Sequence, residues 1–206
     1  LYSSAASDVY KRQVLYVREG LDGRPRSLVD PNGWARDGAT ALAEWMPSNN
    51  GHHVAFAVQD GGTDWRTLRV IDVDTGDPTM DEIKWVKFSS LAWKADGSGF
   101  FYSRFPEPEA GGTFQSINLN QAVYFHALGT SQAQDVKIYA TPERPSLRHS
   151  AQVTDDGQYL LITSADGADQ RYELTVAKID KGEMKLRSLV KGLDHNWSLA
   201  GSVGTR

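Results

Sequence analysis

The 206-residue chain contains no cysteine, which excludes disulfides and thiolate zinc sites and leaves the cellular compartment open. It has no apolar run approaching the roughly 18–20 residues that cross a bilayer, so no membrane partner is expected. Its beginning lacks a basic stretch followed by an apolar one, the pattern of a secretory leader. An excess of one charge is also missing: 22 Lys and Arg stand against 26 Asp and Glu, with the bases scattered singly. A nucleic-acid surface needs clustered bases to neutralise phosphates, so no nucleic-acid partner is expected.

Motifs of catalysis are absent too. No Gly-x-Ser-x-Gly elbow occurs to expose a serine nucleophile, and no glycine-rich phosphate loop of either common type. The histidines are His52, His53, His126, His149 and His195. The first two are adjacent and would point to opposite faces of one strand; the others have no partner at ligand spacing. All five read as surface or hairpin residues, so no metal and no cofactor is expected. The pair Asp155-Asp156 reads as the opening of a turn, its side chains bonding local amides, rather than as general acid and base.

What the chain does have is apolar and aromatic material: 40% hydrophobic residues, with six Trp, eight Tyr and seven Phe. These fall in short runs bounded by Gly, Asp, Asn and Pro. Strands are expected at Val14–Arg18, Val54–Val58, Leu68–Val73, Leu91–Trp93, Gly99–Ser103, Ala122–His126 and Val136–Tyr139. More follow at Ala151–Thr154, Tyr159–Thr163, Tyr172–Lys178 and Leu186–Val190. They are rich in β-branched and aromatic residues. Only Thr40–Trp45 tempts a helix reading, and it is short. The fold class is all-β.

A phrase repeats. Met46-Pro-Ser-Asn-Asn-Gly51, Trp93-Lys-Ala-Asp-Gly97 and Val153-Thr-Asp-Asp-Gly157 each end one apolar run and precede another. Asn or Asp followed by Gly tolerates the positive φ of a tight hairpin. The glycines lie 46 and then 60 residues apart, and the longer interval contains the Pro/Gly-rich stretch from Phe105 to Gly112. Units of about 40–50 residues with several short strands are propeller blades. Asp72-Val-Asp-Thr-Gly76 would be a blade's outer hairpin. The expected fold is an incomplete β-propeller of about three to four four-stranded antiparallel blades, spanning residues 14–206; an ordinary β-sandwich is the alternative. Leu1 to Gln13 begin without Met and show no alternation. They resemble a translated cloning or sequencing scar, with a frayed native arm as the alternative.

Longer phrases carry a resemblance. Gly62-Thr-Asp-Trp-Arg-Thr-Leu-Arg-Val-Ile-Asp-Val-Asp-Thr-Gly76 is similar to a phrase of the prolyl oligopeptidase family. So are Lys84-Trp-Val-Lys-Phe-Ser-Ser-Leu-Ala-Trp-Lys-Ala-Asp-Gly97, running on to Pro106, and Asn118 to Asp135 with its core Ala122-Val-Tyr-Phe-His-Ala-Leu-Gly-Thr130. Val153-Thr-Asp-Asp-Gly-Gln-Tyr-Leu-Leu-Ile162 and the approach Val14–Asn32 follow the same order.

The resemblance implies a seven-bladed propeller capping an α/β-hydrolase domain that carries a Ser, Asp and His triad. The whole cleaves short peptides after proline and works as a monomer in the cytoplasm or periplasm. The chain stops at Arg206, inside a third or fourth blade, so the hydrolase domain is expected to be missing. No triad residue carries over, and the chain alone should be inactive. Phe88 matches the family aromatic that contacts a residue on the amino-terminal side of the substrate proline, with plain blade packing as its alternative. Arg148 stands where an apolar Met is familiar and Ala168 where a Cys is. Gly167-Ala-Asp-Gln-Arg-Tyr172 also departs from the usual wording. Short proline-containing peptides and the hydrolase domain are the implied partners. A stand-alone protein-binding propeller is the alternative function, and a related exopeptidase of the same clan ranks behind it.

Overall fold

The computed structural model describes residues 13–34, 40–61, 63–108, 118–180 and 184–201. Most of the segment from Leu1 to Gln13 therefore lies outside the described residues. Two strands, β1 (Leu15–Val17) and β2 (Arg26–Val29), form a small antiparallel pair. Three meanders follow. The first runs through β3 (Ala41–Pro47), β4 (His53–Gln59), β5 (Arg66–Asp72) and β6 (Pro78–Val86). The second runs through β7 (Ala92–Trp93), β8 (Gly99–Arg104), β9 (Ala122–Ala127) and β10 (Val136–Ala140). The third runs through β11 (Leu147–Val153), β12 (Tyr159–Asp166), β13 (Glu173–Lys178) and β14 (Arg187–Val190). Within each, successive strands pair antiparallel, and the single pair Val86↔Arg104 joins the first two sheets. Among the described residues the only helical turns are 3₁₀ turns at Pro31–Gly33 and Gln132–Gln134. These are the blades of an incomplete β-propeller.

The blades are held by their faces. Successive side chains of a strand point to opposite sides, so a strand between two neighbours buries both. On β8, Phe100 and Tyr102 meet Ala55, Leu68, Val70 and Ile83 of the first blade. Phe101 points the other way and joins Val123, Ala151, Leu160 and Ile162, bridging to the third blade. Val54, Phe56 and Ile71 on the far face of the first blade meet Leu28 and Val29. Burial on both faces is why β8 reads Gly-Phe-Phe-Tyr-Ser without polar alternation. Polar contacts sew the same seams: the Trp93 indole N–H donates to the Met46 carbonyl at 2.9 Å, and the Ser103 hydroxyl to the His149 carbonyl at 2.7 Å.

The repeated phrases are the hairpins between the first and second strands of each blade. In all three, the residue before the glycine caps the turn. Asn50 Oδ1 accepts from the His52 N–H at 3.1 Å, Asp96 Oδ1 from Ser98 at 3.0 Å, and Asp156 Oδ1 from Gln158 at 3.0 Å. Asp156 thus does the turn's work expected of it. The following glycines have φ between 70° and 77°. The turns also stack, since a side chain at Gly157 would run into Ala95 of the preceding blade's turn, whereas one at Gly51 would meet open space.

Three strands differ from the sequence expectation. β2 was not anticipated; β3 and β6 are implied by the Met46 phrase and the Asp72–Gly76 hairpin but are given no range, and the short segment that tempts a helix reading, Thr40–Trp45, is mostly β3. β3 is a first strand with much of its length exposed, and β6 puts a carboxylate, Asp81, at a buried position. Neither shows the apolar pattern of a strand covered on both faces.

The stacked turns generate a test. Gly51→Ala should cost about 1–2 kcal/mol, the strain of a Cβ at positive φ. Gly157→Ala should cost clearly more in the same urea titration, because it adds a clash between blades. Equal costs would show that the turns do not touch.

Candidate functional site

In a meander, alternate turns fall at the same end of the sheet. The β6–β7 connection carrying Phe88, the start of β11 carrying Arg148 and the β12–β13 turn carrying Ala168 share one end. The glycine hairpins occupy the other. All three residues singled out from the sequence therefore lie on one face of the blades. Phe88 and Arg148 are in contact: the guanidinium carbon sits 4.0 Å from the ring centroid. Ala168, exposed on its turn, is brought to this face by topology.

Phe88 is not a core residue. It is 41% exposed, while Trp93, five residues on, is buried in the first seam. Its backbone has φ of 52°, and Trp85 has 64°. Left-handed backbone at a bulky residue costs about 1–3 kcal/mol and persists only where its surroundings impose it. The imposing group is Gln121, fully buried. Its amide Nε2 donates to the carbonyls of Lys87 at 2.8 Å and Phe88 at 3.2 Å. Its Oε1 accepts from the His149 N–H at 2.6 Å. One side chain thus fixes the Phe88 loop against the strand of Arg148. The Phe105 N–H donating to the Trp85 carbonyl and the Ser103 N–H donating to Ser89 Oγ complete the clamp. Lys87 lies over both Trp65, at 5.0 Å, and Phe88, at 5.3 Å.

Two histidines expected on the surface are buried instead. His149 sits between Ser164 Oγ at 2.9 Å and Thr141 Oγ1 at 3.1 Å. Burial, assisted by the Arg144 charge, pushes its pKa down to about 4, so it is neutral. His126 is the opposite case. Its Nε2 lies 2.8 Å from Asp81 Oδ1 and its Nδ1 2.6 Å from Asp135 Oδ1, with all three side chains inaccessible or nearly so. The Tyr102 hydroxyl donates to Asp135, and Thr79 Oγ1 and the Gly129 N–H donate to Asp81. Burial opposes the positive charge, but the hydrogen bonds to Asp135 and Asp81 prevail and raise the pKa to about 9. Burial also opposes charge on Asp81, yet its hydrogen bonds from His126, Thr79 and Gly129 hold it below the ordinary carboxylate range. For Tyr102, burial first and the bond to Asp135 second push the hydroxyl upward.

This cluster resembles catalytic machinery in composition only. Both ring nitrogens already face carboxylates, and no substrate reaches them. It is a structural charge network joining β6, β8, β9 and the turn before β10. Among the described residues no group of three His, Asp or Glu is arranged to hold a metal ion, and no helix is long and apolar enough to cross a membrane.

The family model described as the N-terminal β-propeller domain of prolyl oligopeptidase matches residues 1–206. The chain belongs to that family. A prolyl endopeptidase of Elizabethkingia meningoseptica is 32% identical over 203 residues, covering 98% of this chain and 28% of that protein. Prolyl oligopeptidase A of Galerina marginata is 34% identical over 173 residues, covering 76% and 23%. A solved structure from a study of inter-domain dynamics in two prolyl endopeptidases superposes with a TM-score of 0.79 at 42% identity, over 88% of this chain and 25% of its own. Prolyl oligopeptidase B of Galerina marginata, bound to a 35-residue hydrolysis and macrocyclization substrate, gives 0.82 at 26% identity, over 94% and 30%. The chain spans under a third of the length of each of these prolyl oligopeptidase relatives.

The His126 network predicts a pH dependence. A raised pKa means that the imidazolium stabilises the fold fully below its ordinary value of 6.5 and ceases to as pH rises through about 9. The depressed Asp81 gives the opposite edge, with stability lost as pH falls below the usual carboxylate range. His126→Gln strands two buried carboxylates and should destabilise the chain by about 3–5 kcal/mol at pH 7. The difference from wild type should shrink above pH 9 in denaturant titrations. A difference that does not change with pH would show that the proton is irrelevant.

Proposed function

We propose that this chain is the substrate-gating propeller portion of a serine endopeptidase that cleaves short peptides after proline. Phe88, Arg148 and Ala168 line the outer part of its substrate site. The observation that carries the reading is the 42% identical prolyl endopeptidase structure, onto which 88% of the chain superposes. In this reading the nucleophile and its base lie on a hydrolase domain outside these residues, which is the propeller's principal partner, and the full-length enzyme acts as a monomer. No Ser-His-Asp constellation is needed here, and the Asp81–His126–Asp135 network stays structural.

An anchored loop bearing an exposed ring suits a peptide contact. The ring offers flat apolar area and needs no hydrogen-bond partner, and its backbone is fixed before the peptide arrives. The propeller restricts access to small, unstructured peptides.

In the full-length protein, Phe88→Ala should lower kcat/KM for peptides with a large side chain two residues before the proline by roughly five- to thirtyfold, equivalent to about 1–2 kcal/mol of lost apolar contact. Peptides with Gly at that position should be nearly unaffected. Equal losses for both peptides, with a lowered melting temperature, would assign Phe88 to packing and remove it from the site.

A further inference from the structure

The contact between Phe88 and Arg148 has a chemical bias. A guanidinium stacked on a ring spends its flat face on that contact and keeps its N–H donors, which lie in its plane, available at the edge. Of the other cations near this end, Arg104 lies over the Tyr124 ring at 4.1 Å, and three are matched by acids. Arg144 is engaged by both carboxylate oxygens of Glu173, Arg171 pairs with Asp169, and Lys87 lies 3.7 Å from Asp64. Arg148 has neither a carboxylate nor a hydrogen-bond partner among the described residues. Asp166, on the neighbouring strand, is registered opposite Leu147 and so faces the other side of the sheet.

The pair is also held in place before any ligand binds. Gln121 bonds the Phe88 carbonyl with one end of its amide and the His149 N–H, next to Arg148, with the other. The ring in turn orients the guanidinium. A planar fork of donors, fixed over an exposed ring and lacking a counter-charge among the described residues, fits a carboxylate in two-point contact.

Building on the proposed peptidase reading, we propose that Phe88 and Arg148 form a subsite for an acidic side chain. The enzyme then prefers Asp or Glu over neutral or basic residues two positions before the proline. The methylenes of Glu lie along the ring while its carboxylate meets the guanidinium edge. Arg148 is the specificity-determining residue, and no proton or bond changes hands at this subsite.

The test uses the full-length protein and three peptides that differ only at that position, carrying Glu, Gln or Lys. The expected kcat/KM is about three- to tenfold higher for Glu than for Gln, and lowest for Lys. The Glu preference, read as the ratio of kcat/KM for the Glu and Gln peptides, should fade at 0.5 M salt and vanish in Arg148→Met. Equal values for Glu and Gln in wild type, or a preference that survives Arg148→Met, would overturn the proposal and leave the peptidase reading intact. Absence of cleavage after proline in every peptide would overturn the peptidase reading instead. The charge preference is then read from binding of the same peptides, fluorescently labelled, by anisotropy, and equal affinities for Glu and Gln would overturn it.

Discussion

Each blade of this chain is apolar on both faces, and the rest of the structure depends on that. A four-stranded meander that is polar on one side can rest against a single partner. One that carries Phe100 and Tyr102 on one face and Phe101 and Val123 on the other needs a neighbour on each. The hydrophobic effect therefore acts between blades more than within them, and the stacked turn glycines, the Trp93 indole and the Ser103 hydroxyl set the spacing of the seams. Among the described residues, strand pairing between blades is reduced to the single pair Val86↔Arg104, so side chains carry most of the assembly.

Several buried polar groups are satisfied in sets inside this sandwich of faces, while His53 Nδ1, Arg104 Nε and Asn118 Oδ1 are left without a hydrogen-bond partner among the described residues. Asp81, His126, Asp135 and Tyr102 hydrogen-bond one another across strands of two blades. Gln121 spends its amide on a loop of one blade junction and a strand of the next. Networks of this kind rigidify when complete and are costly when broken. Here the Gln121 set has a consequence at the surface, where it holds a strained, exposed Phe88 beneath the Arg148 guanidinium. The contact between Phe88 and Arg148 is thus fixed by the same seams that fix the fold.

How much of this could be read from the sequence follows from the same physics. β4, β5, β8 and β12 stand out because burial on both faces leaves apolar runs, and the Asx-Gly turns stand out because positive φ demands them. β6 was hidden: its inward position at Asp81 is polar for the sake of His126, 45 residues away. The same long-range pairing hid the burial of His126, which has no partner in its own strand. His149 was hidden likewise, its ring held by Thr141 and Ser164 from outside the local window. Gln121 gave no local signal, since its three bonds go to residues 28 to 34 positions away. Phe88, Arg148 and Ala168 were legible only through resemblance. Topology then placed them on one face, and the stacking of Arg148 on Phe88 could not have been read from spacing.

Amide hydrogen exchange on the 206-residue chain tests the dependence of blades on their neighbours most directly. The middle blade, β7 to β10, is covered on both faces and should show the strongest protection, with β8 and β9 exchanging slowest. Protection should fall off through β11–β14 on one side and β1–β2 on the other. Equal protection across all three blades, or slowest exchange in β13 and β14, would contradict an architecture in which each blade is stabilised by the faces of its neighbours.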